Sequence, residues 1–310
     1  MIIKNIIVST SVIGVAMLLI NASATHQTDS IPVQEQVSDT LSFIPERTYN
    51  IYALDMPKNL NFAGESVPMD IEDVKERFDR ELLVNTYWQS NALLLIKRAN
   101  KFFPIIEPIL KKNNIPDDFK YLALIESGLQ NVVSPSGAAG FWQFMKDTGK
   151  EYRLEIDTTV DERYHLEKAT QAACDYLKKA KTDLGNWTLA AAAYNAGKNG
   201  IKTQIDRQKV DNYYDLFLNT ETSRYVFRIL ALKEIVQNPQ KYGFNLKKEH
   251  LYELEPVKYV EVTTSIENLA DFAKQYNTNY KMIRLLNPWI RDISLENKKG
   301  KTYLIKVPEK

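Results

Sequence analysis

The chain has 310 residues, long enough for two domains, and 44% of them are hydrophobic, enough for a core that needs no disulfide staples. Lys and Arg number 40 against 39 Asp and Glu, so no basic excess points to nucleic acid as a partner. One cysteine, Cys174, rules out an internal disulfide and reads as a core residue; His26, His165 and His250 are too scattered for a His-Glu-x-x-His metal motif.

Residues 1–24 open with Lys4, continue with an apolar run from Ile6 to Ile20, and end on Asn21-Ala22-Ser23-Ala24. This is the layout of a secretory signal peptide. A membrane anchor is the rival reading, but the run is shorter than the ~20 residues a spanning helix needs. No cysteine near residue 20 offers a lipid attachment point. Residues 25–69, with Pro32, Pro45, Pro57 and Pro68 among many polar residues, read as a flexible tether or an extended wrapping segment. From Asp70, Ile71, Val74, Phe78 and Leu82 step by three or four and predict a helix to about Trp88. A second helix is expected over Ser90–Phe103, ending before Pro104; Ile105 to Lys111 then leads to a turn at Asn113-Asn114.

The stretch 116–150 carries the chemistry. Pro116 marks a first helical position, Asp117 and Asp118 fill the first turn, and Phe119, Leu122, Ala123 and Glu126 fall at i, i+3, i+4 and i+7. The apolar stripe therefore ends on a carboxyl. Burying a carboxylate without a partner costs several kcal/mol, so such a group holds its proton to higher pH, which is what a general acid requires. A solvent-edge or ion-paired glutamate is the alternative. Gly128 ends the helix, and the loop Ser134-Pro135-Ser136-Gly137-Ala138-Ala139-Gly140 follows. A second helix is expected from about Phe141. The loop lacks the Lys and Ser/Thr of a P-loop and the spacing of a dinucleotide fingerprint. It suits close approach of a flat substrate, with Trp142 or Phe141 as a stacking surface and Gln143 as a hydrogen-bonding group.

Thr158 to Tyr164 reads as a polar connection. Leu166, Thr170, Ala173, Leu177, Ala180 and Leu184 mark a long amphipathic helix stopped at Gly185-Asn186. Trp187–Asn195 is an Ala-rich helix, central by its composition, stopped by Gly197 and Gly200; Glu221 to about Gln237 is the last helix before Asn238-Pro239. No strand is expected between 70 and 240, and 241–256 reads as a linker. From Val257 the texture changes. Tyr259, Val260 and Val262 begin a strand, Ser265–Tyr276 and Tyr280–Leu286 are short helices, and Thr302–Val307 alternates as a closing strand.

Glu126-Ser127 with Ser134, then Gly140-Phe141-Trp142-Gln143, Ala193-Tyr194-Asn195 and Glu221-Thr222-Ser223-Arg224-Tyr225-Val226 occur in an order that resembles the lytic transglycosylases related to goose-type lysozyme. Phe141-Trp142 stands where that family has Leu-Met, which alters the shape of the adjoining subsite. The βααβ order of 257–310, with Tyr259-Val260, Leu269-Ala270 and Leu285-Leu286-Asn287, resembles a LysM domain whose usual Gly-Asp turn is Ser265-Ile266 here. The resemblance implies a mainly α chain: a lysozyme-like helical catalytic domain over 70–240 and a small βααβ domain after it. It implies a lytic transglycosylase that cuts the β-1,4 bond between N-acetylmuramic acid and N-acetylglucosamine and leaves a 1,6-anhydro end. Glu126 would be acid and then base, and Ser134, Gln143, Tyr194, Asn195, Glu221 and Tyr225 would face the substrate. All but Gln143 have a plainer rival of their own: a turn serine, packed tyrosines, a helix-end asparagine, a helix-start carboxylate. No cofactor or metal is implied. The expected partner is the peptidoglycan glycan strand, met by a monomer exported across the inner membrane to the periplasm or cell envelope without a lipid anchor. The LysM-like domain would bind glycan or only pack on the enzyme. Two other functions share these residues: a muramidase that admits water, and a non-catalytic glycan-binding protein. No Gly-x-Ser-x-Gly elbow supports a serine hydrolase.

Overall fold

The computed structural model describes residues 51–309. The expected signal peptide, and the expected tether up to residue 50, lie outside the described residues. From Tyr52 the chain is extended, then doubles back in a short ladder of β1 (Asn61–Phe62) against β2 (Glu65–Ser66). Leu60, Phe62 and Val67 enter the helical core, with Phe62 edge-on to Phe119. The Glu65 carboxylate accepts from the N–H groups of Trp187 (2.6 Å) and Thr188 (2.8 Å). An anion thus sits on the free donors that start the Ala-rich helix. Residues 52–69 wrap the helical body.

That body comprises α1 (Glu72–Tyr87), α2 (Gln89–Lys112), α3 (Lys120–Ser127), α4 (Lys146–Glu151), α5 (Leu166–Leu184), α6 (Trp187–Ala196), α7 (Lys198–Gln208) and α8 (Thr220–Gln237). The helix expected to stop before Pro104 runs on as α2 through both Pro104 and Pro108. Its buried residues explain this: Leu95, Ala99, Phe103, Ile106 and Leu110 form one continuous stripe, and burying it outweighs the hydrogen bond each proline forfeits. Pro116 precedes the helix rather than starting it. A 3-10 turn, Asp117–Phe119, leads into α3. Leu189 to Ala193 of α6 are completely buried, and α6 packs on α5, α7 and α8. Gly197, at φ +77°, breaks α6, whereas Gly200 lies within α7 and stops nothing.

Two other expectations fail in an instructive way. No helix begins at Phe141: Gly140 (φ +79°) and Gln143 (φ +48°) hold left-handed backbone, and Ala139 pairs with both Val133 and Phe144 as isolated bridges. The helix starts only at Lys146. The stretch 158–164 is not a solvent-facing connection either, because Val160, Asp161, Glu162, Arg163 and Tyr164 are all buried.

Tyr242 and Phe244, at the start of the expected linker, are buried against the helical core. The C-terminal part has the order β3 (Val257–Val262), α9 (Leu269–Gln275), α10 (Tyr280–Leu286), β4 (Tyr303–Pro308). The strands pair antiparallel from Val257↔Pro308 to Val262↔Tyr303. Asn268 and Asn279 cap the two helices by accepting from Ala270 N and Met282 N. The core of this part also contains Ala139, Val160 and Tyr164 from the helical part. Val160 bridges Ile290, Asp161 N donates to Trp289 O (2.8 Å), and Arg291 N donates to Thr159 O (2.7 Å). Among the described residues no helix is long and apolar enough to cross a membrane.

Candidate active site

Glu126 is the penultimate residue of α3. The helix stops there because Gly128 takes a left-handed conformation, closing the last turn with its N–H on Leu124 O (2.9 Å). Lys120 to Ile125 are buried, so α3 is a short core helix with one partly open carboxyl near its end. The hydroxyl of Tyr225, a residue only 1% exposed, donates to Glu126 Oε1. Arg228, one turn further along α8, donates to Ile125 O (3.2 Å).

Burial pushes Glu126 up to about 7; the Tyr225 hydrogen bond and the Arg228 guanidinium pull against that, and the charge of Glu221 adds to it. Near neutral pH the carboxyl is therefore divided between its protonated and ionised forms. A group in that position gives and takes a proton with little penalty either way.

Of the remaining sequence candidates, Tyr194 and Glu221 lie close enough to this carboxyl to feel its charge. Tyr194, at the end of α6, donates to Trp142 O (2.8 Å); burial and the nearby Glu126 charge raise its hydroxyl well above the usual tyrosine range. Asn195 donates to Glu221 Oε1 (3.0 Å) and accepts from Thr222 Oγ1 (2.8 Å), tying the end of α6 to the start of α8. Gln143 turns its amide inward, donating to Gly140 O (2.7 Å) and Val132 O (3.0 Å). Ser134 stands apart. Its N–H donates to Ala138 O and its hydroxyl accepts from Ala138 N (3.0 Å), closing the loop as a turn-former.

Phe141 and Trp142 are not stacking surfaces. Trp142 is fully buried with its Nε1 donating to Thr170 Oγ1 (2.9 Å), and Phe141 packs edge-on against Phe102. The left-handed residues on either side turn both rings into the core. What the pair offers the site is backbone: Trp142 O receives Tyr194, and Phe141 O receives the Ser127 hydroxyl (2.9 Å).

Two residues bonded to this region escaped the sequence reading, Arg228 through Ile125 O and Arg163 through Gly137 O and Phe144 O. Arg228 follows Glu221 and Tyr225 at i+7 and i+3, so helical spacing placed it on their face. Arg163 gave little local signal, since apart from Asp161 its guanidinium bonds backbone carbonyls distant in sequence.

These features define a class. Residues 103–217 match the family described as Transglycosylase SLT domain, and residues 258–310 match the Soluble lytic transglycosylase C-terminal LysM-like domain. The chain carries an SLT domain followed by a LysM-like domain. The α8 half of the site, Glu221 to Arg228, lies beyond the SLT match. The chain is homologous to Membrane-bound lytic murein transglycosylase D of Escherichia coli (strain K12), at 28% identity over 258 residues, covering 80% of this chain and 55% of the relative. The protein of the same name from Escherichia coli O6:H1 (strain CFT073) matches to the same extent. The chain thus spans about half the length of the curated relatives it matches.

Proposed function

We propose that the chain is a peptidoglycan lytic transglycosylase that cleaves the β-1,4 bond between N-acetylmuramic acid and N-acetylglucosamine and leaves a 1,6-anhydro muramic end. The observation that carries this reading is the Glu126 carboxyl at the end of a core helix, hydrogen-bonded by Tyr225 and poised near pH 7. Glu126 gives its proton to the glycosidic oxygen as the bond from the anomeric carbon breaks. The substrate's own acetamido group supports the positive charge that develops there. The muramic 6-hydroxyl then attacks that carbon and returns a proton to Glu126, so the residue ends as it began and no water is consumed. The neighbouring carboxylate, Glu221, is exposed and engaged by Asn195, which suits glycan positioning on that side of Glu126. Ser134 and Gln143 belong to the substrate loop, whose Trp142 carbonyl holds the Tyr194 hydroxyl. The enzyme works as a single chain on glycan strands of the cell envelope.

Mass spectrometry of digested peptidoglycan tests this. The expected products end in anhydro-muramic acid, lighter by one water than reducing ends; reducing ends instead would make the chain a muramidase using the same acid.

The role of Tyr225 gives a signed pH prediction. Because only the protonated form of Glu126 can donate, activity falls above about pH 7 in the parent. The Tyr225 bond holds that value down, so Tyr225→Phe moves the alkaline limb of the pH–rate profile to higher pH while lowering the maximal rate. A limb that stays put or moves down contradicts the assigned contact.

A further inference from the structure

The loop 134–145 contains no helix or strand, yet it supplies the carbonyls that orient Ser127 and Tyr194. It is held from behind by Arg163. This residue, 9% exposed, gives its guanidinium to the Asp161 carboxylate (Nη2 to Oδ2, 2.7 Å), to Gly137 O (2.9 Å) and to Phe144 O (3.1 Å). One planar group thereby clamps both ends of the loop, a geometry that lysine's single ammonium cannot reproduce. Between those ends, Gly140 lies directly against the Arg163 backbone carbonyl.

The segment bearing Arg163 is gripped in turn by the LysM-like domain. Thr159 O and Asp161 N are hydrogen-bonded to Arg291 N and Trp289 O, and Val160 pairs with Ile290. Trp289 stacks on His165, and the Arg291 guanidinium lies 4.0 Å over the Tyr164 ring. Ala139 of the loop is itself part of the LysM-like core. A continuous path therefore runs from residues 289–291 through Arg163 and the loop to the helix bearing Glu126.

We propose that Arg163 is a positioning residue for the cleavage reaction and that residues 289–291 lock it, making the LysM-like domain part of the catalytic unit. This rests on the cleavage reading above.

The test uses the full chain with short soluble glycan fragments and Glu126→Gln as the blank. Arg163→Lys, which keeps a cation beside Asp161, is expected to fold and to lose kcat on the order of 10-fold, with its pH profile unmoved because Glu126 keeps its own partners. Added guanidinium ion is expected to restore part of the rate of Arg163→Gly and none of the rate of Glu126→Gln. Ile290→Ala, a change in the other domain, is expected to lower the same kcat and, like Arg163→Lys, to speed hydrogen exchange at the Ala139 and Gly140 amides. Parental kcat in both folded variants overturns the proposal while leaving the cleavage reading intact. Unchanged exchange at Ala139 and Gly140 overturns it whatever the activity. A parent no faster than Glu126→Gln overturns the cleavage reading instead.

Discussion

Glu126→Gln is expected to keep the fold and lose cleavage by at least ~10²–10⁴-fold, the usual share of general acid help, and by more where no group can substitute. Glutamine fills the same volume and still accepts from Tyr225, but it cannot carry the proton. Glu221 cannot take over, since it faces solvent and is engaged by Asn195. The same variant has a signed effect on stability. Burial raises Glu126 from its ordinary 4.5 to about 7, so the folded parent bears no penalty below pH 4.5, an increasing one as pH rises toward 7, and a constant one above that. Glu126→Gln is therefore more stable than the parent at pH 8, by on the order of 2–3 kcal/mol, and equally stable at pH 4. Denaturant melts at the two pH values, run beside a cleavage assay, check both halves. Substantial cleavage by the variant would remove the basis of the proposed mechanism.

Gly140→Ala is expected to be the most damaging small substitution in the loop. Its backbone is left-handed, and an added Cβ would lie 1.9 Å from Arg163 O and 2.7 Å from the carbonyl carbon. Backbone, not a movable side-chain tip, is in the way. Arg163 is in turn tied to Asp161, Gly137 and Phe144, so relief of the clash must break that set. A loss of about 3 kcal/mol or more is expected, together with loss of activity as the loop shifts. Gly137 is the control. It too is left-handed, at φ +87°, but has open space around its Cβ position, so Gly137→Ala costs only ~1–2 kcal/mol. Equal denaturation midpoints for the two variants would refute the packing argument.

The mainly helical fold was legible wherever one periodicity held without interruption. Leu166 to Leu184, Trp187 to Asn195, Glu221 to Gln237 and the βααβ tail appear close to their expected bounds. Reading failed where tertiary burial overrode a local rule: Pro104 and Pro108 sit inside α2 because the buried stripe continues past them. It failed again at Phe141-Trp142, where bulk and exposure were confused. Aromatic residues beside glycines suggested a platform, but nothing local reveals that Gly140 and Gln143 turn both rings into the core. Glu126 was legible because its stripe and the stop at Gly128 are both encoded within a few residues. Arg163 was not, because apart from Asp161 its guanidinium's partners are carbonyls 19 and 26 residues away.

Cys174 is the only sulfhydryl in the sequence, fully enclosed on α5 where that helix meets α6, and enclosure pushes its thiol up to about 12. Reagents that attack the thiolate find almost none of it, and no second cysteine competes for label. Alkylation at this one atom accordingly clocks how often α5 parts from the helix that carries Tyr194 and Asn195, with no engineered probe required.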